Sequence, residues 1–337
     1  MSLQPHMSLQ PHMSLQPHIA LLVAEQSDLA SVLSLMQTCR SMHNLVSTHE
    51  RSLVKAMVSL RRSAFVSTPS GSILTSLDHE RLLTEPTTFE YVQEIDTRAR
   101  RIAALFAPNS LLTKTLARDR AYAGLPPEQM AKLTSGLQRA AMLTDRLADT
   151  LAEVMTANNP PPPGAPDQTN AMVRQAHLSQ IEYISNSLSH LDLAFLGTLT
   201  DIAANAYFTV HPYGDGDPSP WARQTAFQEA LLRQGSLVLW AWMGSAPDHS
   251  PSRPERVLKK QEKDQKRLAG YVEDVISAVL DEIDVYESGG GAGGENEAGM
   301  LPGLYRTVQE AFARRTGWGF GRAAKEMELM VLWHIRN

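Results

Sequence analysis

Residues 15–53 read LQPHIALLVAEQSDLASVLSLMQTCRSMHNLVSTHERSL, and this stretch decides the class of the whole chain. Pro17 stands at the head of the first apolar run. Its missing N–H costs nothing there, because the first donors of a helix have no partner within it. Ile19, Leu22 and Val23 follow at spacings of three and four, an apolar stripe on one helix face. Ser27 or Asp28 is placed to cap a second helix carrying Leu29, Val32, Leu33 and Met36. A third segment holds Cys39, Met42, Leu45 and Val46. Helices this short are unstable alone and must pack on one another and on something larger.

In the order of these features the stretch resembles an F-box, the small helical module by which substrate receptors dock onto the Skp-type adaptor of SCF ubiquitin ligases. Leu15 and Pro17 match the opening Leu-Pro of that family, and Ile19, Leu22 and Val23 match its first helix. Leu29, Val32, Leu33 and Leu35 match the Leu-rich second helix, and Cys39-Arg40 with Leu45 match the closing Cys-Arg and Leu. The segment QTCRSMHNLVSTHE is similar to divergent F-box-like proteins of filamentous fungi. Two positions depart from the pattern: Gln16 separates the Leu from the Pro, and His18 stands where an acidic residue is usual.

The resemblance implies an adaptor-docking module over residues 15–55, with Leu15, Pro17, Ile19, Leu22, Val23, Leu33, Cys39, Arg40 and Leu45 at or under the contact. It also implies that the remainder receives a substrate protein, which the sequence does not identify. Read as residues alone, the same side chains also fit a self-contained helical scaffold, in which they build their own core. The Cys39 thiol is expected to be buried in the module and inert.

Upstream, MSLQPH occurs three times in tandem over residues 1–18. The Met that opens each copy points to duplication around a start codon, with Met13 the older start. Residues 1–14, with a Pro in each complete copy and little apolar content, are expected to be an extended, disordered tail. His6, His12 and His18 recur every six residues, but no Cys or carboxylate accompanies them, so no more than adventitious metal capture is expected.

A chain of 337 residues can bury a large core, and its hydrophobic content is that of a globular protein. A formal charge of −5 argues against general affinity for nucleic acid or acidic membranes. A single Cys excludes an intramolecular disulfide framework and fits a reducing compartment. No run of eighteen apolar residues and no signal-peptide pattern occurs, so a cytoplasmic or nuclear protein is expected.

Periodic segments elsewhere are helical, which predicts an all-α fold: the three-helix module followed by a bundle-like body. Residues 56–158 form one helical region, with an amphipathic face over Phe89–Phe106, a shorter helix from Ser110 and a long one from Pro126-Pro127. Residues 159–168 form a proline-rich linker, better read as a spacer than as a groove ligand because no Arg or Lys flanks it. Residues 169–287 form a second helical region. It holds a long helix with a break near His190 or Gly197, a loop over His211–Pro220 and a continuous helix over Trp221–Met243. Residues 253–287 then run from basic to acidic, an order opposed to the helix dipole, with a solvated face the default reading. Residues 288–300 are a Gly-rich linker, and 301–337 hold the C-terminal helices around RTGWGFGR, a turn expected to pack its two aromatics inward.

No catalytic motif emerges, so an enzyme is not expected. The glycines at 317, 319 and 321 lack the preceding strand and spacing of a phosphate loop. Asp215 and Asp217 fail the calcium-loop pattern, since the twelfth position from Asp215 is Ala226 rather than Glu. Carboxylates such as Glu94 and Asp96 read as solvated surface. Were a site to converge from distant positions, His177, His190, His211 and Tyr213 would be its candidates. No cofactor or metal is implied, nucleic-acid contact is disfavoured, and no membrane partner is expected.

Overall fold

The computed structural model describes residues 16–57, 88–157, 166–210, 220–245, 265–281 and 303–337. Among these residues every regular element is a helix, and the fold is all-α. The hexapeptide repeats and Leu15, the proline run 160–163, the Asp215/Asp217 loop, the basic segment 253–264 and the Gly-rich stretch 288–300 lie outside the described residues. The chain divides into two compact units, Met1–Thr97 and Arg98–Asn337.

The first unit contains α1 (Pro17–Glu25), α2 (Leu29–Thr38), α3 (Arg40–Thr48), α4 (50–57) and the opening of α5 (Phe89–Leu105). Pro17 does start α1, and Gln16 O accepts from Ile19 N and Ala20 N at 2.9 and 3.0 Å. Of the two candidate caps for α2, Asp28 is the one used: its Oδ1 accepts from Ser31 N at 2.7 Å. One extended residue, Cys39, separates α2 from α3. The core holds Ala24, Leu29, Val32, Val46, Leu53, Val54 and Met57, joined by Phe89 and Val92 of α5. Glu50 fixes that last junction by accepting from Phe89 N at 2.6 Å, a bond between residues 39 positions apart.

The second unit contains the rest of α5, α6 (Leu111–Arg118), α7 (Pro127–Ala157), α8 (Pro166–Asn186), α9 (His190–Val210), α10 (Pro220–Gln234), α11 (Ser236–Ser245), α12 (265–281), α13 (Leu304–Thr316) and α14 (Ala323–Arg336). Its axis is α9, packed on by α6, α7, α10, α13 and α14. Leu193, Phe195, Leu196, Leu199, Ile202, Ala203 and Tyr207 point to several sides of this helix, and all are buried. A helix apolar all round must sit inside. Close approach to α7 depends on Gly136, where a Cβ would overlap the Phe195 ring.

The break near His190 forms as read: Ser189 caps α9, its Oγ accepting from Asp192 N at 3.1 Å and donating to Asp192 Oδ2 at 2.7 Å. Two proline readings need correction. Pro166, assigned to the linker, opens α8, and Pro220, assigned to the preceding loop, opens α10. A ring that fixes φ in the helical range and lacks a donor suits a first turn as well as a linker.

A third correction concerns Trp221–Met243, which is two helices rather than one. Gly235 breaks it with φ 74, in the left-handed region. A Cβ there would lie 2.6 Å from Asp145 Oδ1 and 3.1 Å from Asp145 Cα, so the side chain is excluded twice, by dihedral and by space. Gly235→Ala is expected to cost the larger unit about 1–3 kcal/mol, read as a lower urea midpoint with an unchanged slope.

Candidate functional site

The first helix of the smaller unit is packed the wrong way round for a core helix. Its buried residues are the two alanines, Ala20 and Ala24, both 1% exposed. Its large aliphatics face outward: Ile19 is 41% exposed, Leu22 59% and Val23 51%. Small side chains at i and i+4 bring α1 against α3, to which it packs, and this leaves the bulky stripe on the opposite side. Only Leu21 among the large residues of α1 leans onto the core. Pro17 and His18 continue the exposed surface at the N-terminal end.

The residues singled out from the sequence therefore separate into groups. Ile19, Leu22 and Val23 share one exposed face, with Pro17 at its end. Leu33 is half-buried against the module core, and Leu45 is half-buried on α3. Arg40 is exposed, as is Cys39, which corrects the expectation of a buried thiol. The extended backbone of Cys39, φ −162 and ψ 159, lifts its side chain out at the corner between two helices. Leu15 is outside the described residues.

The larger unit gathers buried polar groups that spacing could not reveal. Arg98 and Arg101 of α5 reach down to Asp149 and Asp145 of α7. Arg98 grips Asp149 with two bonds of 2.7 Å, and Arg101 Nη2 lies 3.1 Å from Asp145 Oδ2. Glu229 of α10 accepts from Leu304 N and Tyr305 N, both at 2.8 Å, and so supplies from another helix the cap that Gly303 lacks. A carboxylate at that end also meets the positive pole of α13. Asp201 of α9 accepts from Tyr305 Oη at 2.6 Å and Gln228 Nε2 at 2.7 Å. Burial pushes its carboxyl up to about 6, with Glu328 nearby adding repulsion. Desolvation likewise raises the Tyr305 and Tyr122 phenols.

These clusters tie helices of the larger unit together. Among the described residues no three His, Cys, Asp or Glu side chains converge as metal ligands. His177 and His190 sit on different helices, α8 and α9, while His211 and Tyr213 lie outside the described residues. No described helix is long and apolar enough to cross a membrane. Trp242 is buried and Trp240 partly exposed, so the apolar end of α11 faces the core on one side. Trp318 and Phe320 depart from expectation: both are exposed rather than turned inward. No protein-family model, no curated protein and no solved structure matches this chain.

Proposed function

We propose that the first unit is an F-box-like docking module whose occupant is a Skp-type adaptor, and that the chain serves as a substrate receptor of an SCF-type ubiquitin ligase, acting in the cytoplasm or nucleus. One observation carries this reading: α1 buries Ala20 and Ala24 and leaves Ile19, Leu22 and Val23 in solvent. Full burial of each large aliphatic is worth about 1.5–3 kcal/mol, so a helix that turns three of them outward forgoes stability that a partner would recover. The scaffold alternative needs Pro17 and Ile19 buried against Leu53, Val54 or later helices. Both are exposed, while Leu53 and Val54 are fully buried among other residues.

The stripe of Ile19, Leu22 and Val23 is small and apolar, which suits a contact made by helix burial rather than by ion pairing. Pro17→Ala combined with Ile19→Ala is expected to weaken co-purification with a Skp-type adaptor by at least ~30-fold, about 2 kcal/mol, while leaving thermal unfolding unchanged. Failure of the unaltered chain to bind the adaptor would overturn the reading and leave a helical interaction scaffold with no ubiquitin role.

A further inference from the structure

We propose that the turn joining α13 to α14 is a second docking surface, one that takes an acidic segment of a partner protein. Two aromatic rings stand out of it, Trp318 at 41% exposure and Phe320 at 46%. Neither is loose. Trp318 N donates to Ala313 O at 3.1 Å, and the indole lies edge-on to the fully buried Phe312 ring, 6.2 Å between centroids at 80°. Phe320 begins a single turn of 3-10 helix, and the Arg306 guanidinium sits 5.7 Å from its centroid. Rings held this firmly in solvent lose little freedom when a partner covers them, which is why Trp and Arg dominate binding energy at interfaces.

Cations flank the turn in sequence, and Arg306, beside the Phe320 ring, also pairs with Glu310 at 2.8 Å. Arg314 and Arg322 are exposed, one on each side of the turn, and neither has a carboxylate within ion-pair distance among the described residues. Lys325 is exposed one turn further on. Residues 303–337 carry Arg306, Arg314, Arg315, Arg322, Lys325 and Arg336 against Glu310, Glu326 and Glu328, whereas the chain as a whole is at −5. The backbone leaves room for a visitor: a Cβ built on Gly317, Gly319 or Gly321 meets no atom within 4 Å.

A guanidinium pairs with a carboxylate through two parallel hydrogen bonds, and an aromatic face accepts the aliphatic side chains between carboxylates. The surface thus fits a short segment alternating Asp or Glu with apolar residues. A long polyanion such as RNA would meet the same cations but also the net negative charge of the rest of the chain. This surface lies within the second unit and its test is independent of the adaptor.

The full chain would be titrated against a fluorescent peptide alternating Glu and Leu, its Gln/Leu counterpart and a single-stranded oligonucleotide of matching charge. Anisotropy is expected to report binding of the Glu/Leu peptide that weakens with salt, and weaker binding of the other two. Trp318→Ala with Arg322→Ala should weaken that binding at least tenfold. Arg314→Glu with Arg322→Glu should abolish it, which guards against an effect of ring loss on folding. No binding of the Glu/Leu peptide, equal binding by wild type and variants, or tighter binding of the oligonucleotide would each overturn the assignment.

Discussion

Asp145→Ala is expected to destabilise the larger unit by on the order of 3–5 kcal/mol, enough to leave it largely unfolded at moderate urea. The carboxylate is 5% exposed and closes a ring of bonds among three elements. Its Oδ1 accepts from Ser236 N at 2.7 Å, and its Oδ2 accepts from Ser236 Oγ at 2.9 Å and from Arg101 Nη2 at 3.1 Å. Arg101 Nε in turn donates to Ser236 Oγ at 2.9 Å. Truncation leaves a donor of the α11 N-terminus unpaired in a buried site and strands a guanidinium that has little water of its own. Both losses carry a desolvation penalty on top of the lost bonds. The neutral Asp145→Asn keeps part of the acceptor geometry and should cost clearly less. If the mechanism is an orphaned charge, Arg101→Met in the Asp145→Ala background should restore part of the loss, so that the double variant is less damaged than the two singles summed. Equal urea midpoints for wild type and Asp145→Ala would show that the ring carries no stability.

The same residue explains why one feature of the fold was not legible in the sequence. The run Leu231, Leu232, Val238, Leu239, Trp242 keeps an apolar character straight through Gly235, and a single Gly costs a helix only about 1 kcal/mol, so the pattern reads as continuous. The break at Gly235 is held by a carboxylate 91 positions before Ser236, which accepts from Ser236 N at the junction. Local signals fared better. Pro17 and Pro127 open helices, Ser110 caps α6 through Thr113 N at 3.1 Å, and Ser189 stops the long helix where the sequence allowed a break.

For the candidate docking face the stripe Ile19, Leu22, Val23 was legible, but its direction was not. Apolar periodicity locates a stripe and assumes that the larger residues turn inward. In α1 the alanines turn inward instead, because a short helix gains more from close backbone approach than from filling a wide gap. The i, i+4 pair Ala20/Ala24 was the available signal. Cys39 was misjudged for a related reason: it belongs to neither helix but to the extended corner between them. Aromatic character alone predicts core positions for Trp318 and Phe320, whereas the three glycines beside them add no side chains to cover the rings.

Raising the pH from 5 to 8 is expected to lower the stability of the larger unit through Asp201, and Asp201→Asn is expected to abolish that part of the slope. Asp201 is held by two neutral donors, Tyr305 from α13 and Gln228 from α10, and no ion pair reaches it among the described residues. Glu328 from α14 adds repulsion to the charged form, and the Tyr122 phenol is neutral across this range. With the folded carboxyl near 6 and its ordinary value 3.8, the native state binds the proton more tightly than the unfolded chain does. The stabilisation is therefore complete below about pH 4 and is lost as pH climbs through 6. The whole effect is on the order of 3 kcal/mol, about half of it falling between pH 5 and 8. Asp192, whose carboxyl is held down by its bonds to Arg139 and Ser189, acts in the opposite sense, but only under acid conditions where its proton is taken up. Urea midpoints of wild type and Asp201→Asn at pH 5, 6, 7 and 8 separate the contribution from that of every other group, since only the difference between the two curves counts. The variant should gain on the wild type as pH rises. Parallel curves would mean that water or a cation reaches the carboxylate and that its burial carries no linkage to folding.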